Sequence, residues 1–154
     1  MLNPGDTAPG FGLEETDGEL VHLSEFKGEK NVVIYFYPKD DTPGCTVEAQ
    51  EFTALQDEFD AADTVVLGIS RDDCGSHAAF RDKYGLTVRL LSDPDASVCE
   101  QYGVWQEKEK GGEKKMGIVR STFVIDKNSI VRHALYGVSA EGHAQEVLEK
   151  IKSL

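Results

Sequence analysis

The stretch NVVIYFY, Asn31 to Tyr37, is apolar without alternation, and this constrains the fold most. A strand with one wet face alternates polar and apolar residues. A continuous run fits a strand covered on both faces, as in a parallel sheet packed between helices. TVVLGIS, Thr64 to Ser70, repeats the pattern. Between the two, Phe52, Leu55, Phe59 and Ala62 recur at three- and four-residue spacings, which marks one face of a helix from Cys45 to about Ala62. Extended backwards, that stripe reaches Glu48 and Cys45, so the cysteine falls in the first turn on or beside the inward face.

Asp72 or Asp73 can cap a following helix with Ala78, Ala79, Phe80 and Tyr84 on its apolar side. VRLLSD is a third strand, and ASVCEQYG a short helix ended by Gly103. Upstream, FGLEET and ELVHLS flank Asp17-Gly18, a hairpin signal. Downstream, EKEKGGEKKMG, Glu107 to Gly117, is charged and glycine-rich and is expected to be a mobile loop. STFVID and IVRHALYG form a late hairpin around Lys127 to Ser129. A last helix from about Ala140 turns Val147, Leu148 and Ile151 inward. The expected fold class is α/β, with a mixed central sheet flanked by helices, in one domain spanning residues 1–154.

Composition excludes several functions. With 154 residues and a formal net charge of −12, the surface repels phosphate backbones, so no nucleic-acid role is expected. No stretch approaches the ~20 apolar residues of a membrane span. The opening MLNPGDTAPGFG lacks the basic and apolar regions of a signal peptide, and a cytoplasmic location is the expectation. Cys45, Cys74 and Cys99 are too few and too widely spaced for a disulfide framework, and no CxxC occurs. His22, His77, His133 and His143 show no metal-ligand spacing and read as surface or edge residues rather than ligands.

Cys45 stands apart. Pro38, Pro43 and Gly44 form a stiff turn that delivers it to a helix N-terminus, where unpaired N–H groups and the helix dipole favour a thiolate. Thr42, three residues earlier, can place its hydroxyl on the sulfur or on a substrate. Cys99 shares a short helical face with Val98 and Tyr102 and reads as a packing residue. Cys74 also opens a helix, but Asp72 and Asp73 oppose a thiolate there. A C-x5-R phosphatase would need arginine where Glu51 stands, and no histidine lies near Cys45 in sequence to pair with it as in a papain-like protease.

PKDDTPGCT carries the Pro-x-x-x-Thr-x-x-Cys pattern of peroxiredoxins on Pro38, Thr42 and Cys45. VVIYFYPKDDTPGCTVEA resembles the peroxiredoxin Q group, also called bacterioferritin comigratory proteins. VLGISRD, LLSDPDASVCEQYGVW and RSTFVID extend the likeness over nearly the whole chain. The resemblance implies a thioredoxin-like fold and a thiol-dependent peroxidase acting on hydrogen peroxide and organic hydroperoxides. Cys45 would be the peroxidatic cysteine and Thr42 and Arg120 the catalytic threonine and arginine. Pro38 would shield the site and Glu48 orient Arg120. No metal or organic cofactor is implied. Thioredoxin or another thiol would be the reductant, and the protein a monomer.

Many members of the group carry a resolving cysteine five residues after the peroxidatic one, where this chain has Gln50; others place it in the next helix, where this chain has Arg81. Either an outside thiol reduces Cys45, or Cys74 serves. A thiol–disulfide oxidoreductase, or a non-catalytic binding or chaperone module on the same fold, are the alternative readings. The missing CxxC opposes the first, and intact Thr42, Cys45 and Arg120 oppose the second.

Overall fold

The computed structural model describes residues 1–154. Strands β1 (Gly12–Glu15) and β2 (Leu20–His22) form the N-terminal hairpin. Then come β3 (Asn31–Phe36), α1 (Pro43–Ala54), α2 (Gln56–Ala61), β4 (Thr64–Ser70), α3 (Cys74–Tyr84), β5 (Arg89–Ser92) and α4 (Ser97–Gln101). A second hairpin, β6 (Trp105–Lys110) and β7 (Glu113–Ile118), is followed by β8 (Ser121–Ile125), β9 (Val131–Tyr136) and α5 (His143–Lys152). Seven strands make one sheet in the order β2-β1-β5-β4-β3-β8-β9. Strands β3, β4 and β5 run parallel, and the outer strands join antiparallel, so the sheet is mixed as expected.

The unbroken apolar run of β3 is explained by two core layers. Val32, Ile34 and Phe36 face a layer with Val98, Cys99 and Tyr102 of the α4 region. Val33, Tyr35 and Tyr37 face the opposite layer, with Cys45, Phe52 and Phe59, Phe80 of α3, and Val147, Leu148 and Ile151 of α5. Gly68 of β4 pairs with Tyr35, whose ring lies across it; a Cβ there would fall 2.7 Å from the ring. Glycine is what lets that tyrosine lie flat and stack on Phe52 at 4.7 Å.

Several boundaries differ from the sequence reading. The helix begins at Pro43, where the missing N–H costs nothing, and it breaks at Leu55. Phe52 and Phe59 stay buried through the break, so the apolar stripe continues although the helix does not. The last helix starts at His143, because Gly142 sits at φ +78 and ends the preceding turn. His77 and His143 are buried, not at the surface.

The supposed mobile loop at 107–117 lies in the β6–β7 hairpin. Gly111 and Gly112, both at positive φ, make its two-residue turn. The hairpin stands apart from the main sheet and its strands are largely exposed, so they lack the alternation that signals a half-buried strand.

Candidate active site

The site forms where β3 ends and α1 begins. Cys45 is the third residue of α1 and only 1% exposed. The backbone N–H groups of Gly44 and Cys45 have no protein acceptor, and Pro43 has no N–H. The first turn therefore presents free donors and the positive end of the dipole beside the sulfur. Thr42 is the N-cap residue but does not cap with its side chain. Its hydroxyl donates to the Lys39 carbonyl at 2.8 Å, rather than to the sulfur. With its proton so used, the oxygen presents lone pairs, which can accept a bond from an incoming O–H.

Arg120 arrives from the short link between β7 and β8. Its Nη2 donates to Cys45 Sγ at 3.2 Å and its Nη1 to Glu48 Oε1 at 2.5 Å. Gly44 makes room for it: a Cβ at that position would lie 3.1 Å from Nη2. Burial pulls the Arg120 guanidinium down, but Glu48 and the Cys45 sulfur outweigh it and raise it above the ordinary arginine value. Glu48 follows the opposite balance. Burial pushes its carboxyl up to about 7, against the lowering pull of Arg120. Its second oxygen and the hydroxyl of buried Tyr35 have no hydrogen-bond partner. Pro38 is exposed and lines a cleft of about 380 Å³ with Trp105, Lys108 and Met116 of the second hairpin.

The structure thus brings together Cys45, Glu48 and Arg120, with Thr42 at the head of the same helix. Cys74 stands elsewhere. Its thiol donates to the Glu15 carbonyl at 3.3 Å and faces Glu14 Oε2 at 3.7 Å. Burial and then the charge of Glu14 push that thiol up. Strand β1 lies three strand positions from β3, a lateral separation of ~14 Å. Cys99 is fully buried in the other core layer, and burial raises its thiol strongly.

Sequence reasoning missed Asp40 and His77, which sit behind the Pro38–Thr42 loop and bond at 2.7 Å. A signal existed: His77 precedes Phe80 by three residues and Tyr84 by seven, in phase with the inward stripe of α3.

Residues 4–134 match the AhpC/TSA family. A putative peroxiredoxin of Coxiella burnetii is 46% identical over 150 residues, covering 97% of this chain and 99% of that one. The peroxiredoxin Bcp of Escherichia coli K12 is 43% identical, over 98% and 96%. Among solved structures, a Cys-to-Ser mutant of Xylella fastidiosa PrxQ superposes with a TM-score of 0.93 at 38% identity, covering 99% and 97%. The bacterioferritin comigratory protein of Xanthomonas campestris, described for its alkyl peroxide reduction activity, gives 0.88 at 40%, over 93% and 90%. With the thioredoxin-like sheet and the thiol at the mouth of α1, these likenesses have one meaning: the chain belongs to the AhpC/TSA family, in its peroxiredoxin Q, or bacterioferritin comigratory protein, group.

Proposed function

We propose that Cys45 is the peroxidatic nucleophile of this thiol-dependent peroxidase, with Thr42 and Arg120 as its catalytic partners. The observation that carries this is the Arg120 guanidinium, which bridges Cys45 Sγ and Glu48 Oε1 beside free N–H groups of the first turn. The thiolate sulfur attacks the terminal oxygen of R–O–O–H. An S–O bond forms as the O–O bond breaks. The departing RO⁻ takes a proton and leaves as an alcohol, or as water from hydrogen peroxide. Cys45 is left as sulfenic acid. Thr42 Oγ1 accepts the peroxide O–H and sets the line of attack. Arg120 and the Gly44 and Cys45 N–H groups stabilise charge on the leaving oxygen. Pro38, with no N–H to hydrate, limits water around the loop, and Glu48 holds the guanidinium in place.

An outside thiol then attacks the sulfenic sulfur, water leaves, and a second thiol releases Cys45 from the mixed disulfide. The separation of Cys74 from Cys45 favours this route, with thioredoxin as the donor. Cys74 as an internal partner is the second reading, favoured by its part-exposed place at the start of α3. It would require α1 and the Arg71–Gly75 segment to open, because a disulfide needs Cα atoms within ~7 Å. We take the chain as one monomeric, cytoplasmic domain with neither nucleic-acid nor membrane partners. The acidic surface opposes a nucleic-acid partner, and no helix is long and apolar enough to cross a membrane.

Stopped-flow loss of hydrogen peroxide tests the assignment of Cys45. Wild-type protein should consume one equivalent rapidly and Cys45→Ser none on that timescale. Equal consumption by both would remove Cys45 from the chemistry.

A further inference from the structure

Behind the Pro38–Thr42 loop lies a buried polar cluster that the peroxide chemistry does not touch. Asp40 accepts from the Tyr37 hydroxyl at 2.6 Å, on Oδ1, and from the Ser76 hydroxyl at 2.8 Å, on Oδ2. Its Oδ2 also lies 2.7 Å from His77 Nδ1. His77, fully buried, points Nε2 at the Leu91 carbonyl at 3.0 Å. A carbonyl only accepts, so Nε2 carries a proton. The loop backbone is tied as well, since the Asp40 N–H donates to Asp72 Oδ2 at 2.8 Å. Ser70 donates to that same oxygen at 2.7 Å.

A satisfied core histidine would be the plain explanation, but the network ends on the loop that carries the site. Asp41 gives an independent sign. It sits at φ +56, a conformation uncommon for residues other than glycine. There its carboxylate meets Lys83 Nζ at 2.8 Å and the Tyr84 hydroxyl at 2.6 Å. Consecutive aspartates thus fasten one loop to both ends of α3: Asp40 inward to the first turn, Asp41 outward to the last. Asp40, Asp72 and His77 place ligand atoms within 4.8 Å of one another. The atoms of all three already face protein hydrogen-bonding groups, which favours a fastening over a cation cage.

We propose that Asp40 and His77 are positioning residues for the peroxide reaction. Their buried pair fixes the Pro38–Thr42 loop against α3, and through it the Thr42 hydroxyl relative to the sulfur. The proposal rests on the peroxidase reading above. Neither residue touches substrate. Misplacement of a reacting group by about 1 Å can cost ~10²-fold in rate, so a loop freed from α3 is expected to slow the peroxide step. The Arg120–Cys45 contact comes from β8's side of the sheet and does not depend on this loop.

The test compares two reactions of the same thiol at one pH: hydrogen peroxide by stopped flow and iodoacetamide alkylation. Asp40→Ala should lose about tenfold or more against peroxide and stay within about twofold against iodoacetamide. Asp40→Asn should recover most of the peroxide rate, because its amide can donate to His77 Nδ1 while its carbonyl accepts from Tyr37. If Asp40→Ala does not fold, two milder variants replace it: Tyr37→Phe removes the hydroxyl that donates to Asp40 and lies 3.4 Å from His77 Nδ1, and Ser76→Ala removes one bond to Asp40; both should show the same selective loss in smaller measure. An unchanged peroxide rate in these variants, or parallel losses in both reactions, overturns the positioning role. A wild-type protein that is slow with peroxide would instead overturn the peroxidase reading itself.

Discussion

Arg120 Nη1 lies 2.5 Å from Glu48 Oε1, inside a carboxyl environment that burial holds up at about 7. Burial and Arg120 thus pull the Glu48 carboxyl in opposite directions. The other edge of the same guanidinium faces the Cys45 sulfur at 3.2 Å. One guanidinium thus bonds both the sulfur and the carboxyl.

Arg120→Met should slow the reaction with hydrogen peroxide by about 10²–10³-fold, the usual cost of losing a preorganised stabiliser of transition-state charge. Single-turnover stopped flow checks this. A rate within about threefold of wild type would count against the role.

Glu48 gives a pH signature. Its folded carboxyl binds a proton more tightly than the ordinary carboxyl at 4.5, because burial outweighs Arg120. The stability it contributes is full below about 4.5 and falls as pH rises to about 7. Glu48→Gln removes that burden. Its stability relative to wild type, from urea denaturation, should improve as pH rises from 5 to 8. A pH-independent difference would show that Glu48 does not titrate in this window.

Thr42→Val deletes the N-cap hydroxyl of α1. Peroxide turnover should drop by about ten- to a hundredfold, while Thr42→Ser stays within about threefold of wild type. Parallel kcat/KM measurements with hydrogen peroxide and an alkyl hydroperoxide test it; equal rates for the valine variant would refute it.

Tyr35 buries a hydroxyl with no partner, stacked on Phe52. Tyr35→Phe keeps the ring and removes the uncompensated group, so it should be neutral or stabilising by about 1 kcal/mol. A loss of more than about 1 kcal/mol in chemical denaturation would reveal a partner for that oxygen.

The sequence made the centre of the fold legible because its two core layers leave β3 and β4 no polar face. Cys45, Glu48 and Phe52 could be placed on one inward stripe because an intact helix keeps its period. Arg120 lies 75 residues from Cys45, and only the family resemblance brought it to the site. Local pattern failed where tertiary contact decides. The β6–β7 strands are largely exposed and carry no alternation, so Gly111-Gly112 passed for loop composition when it was a hairpin turn. His77 reads as a surface or edge residue in the sequence because its burial depends on Asp40 and on the Leu91 carbonyl, 37 and 14 residues away.

Oxidising reduced protein with one equivalent of hydrogen peroxide, and trapping the product with a sulfenic-acid reagent before peptide mapping, tests whether Cys45 is the atom-transfer site. One trapped oxygen equivalent is expected on the Cys45 peptide, with Cys74 and Cys99 left as thiols under rapid quench. Label on Cys74 or Cys99 with Cys45 still reduced would contradict it.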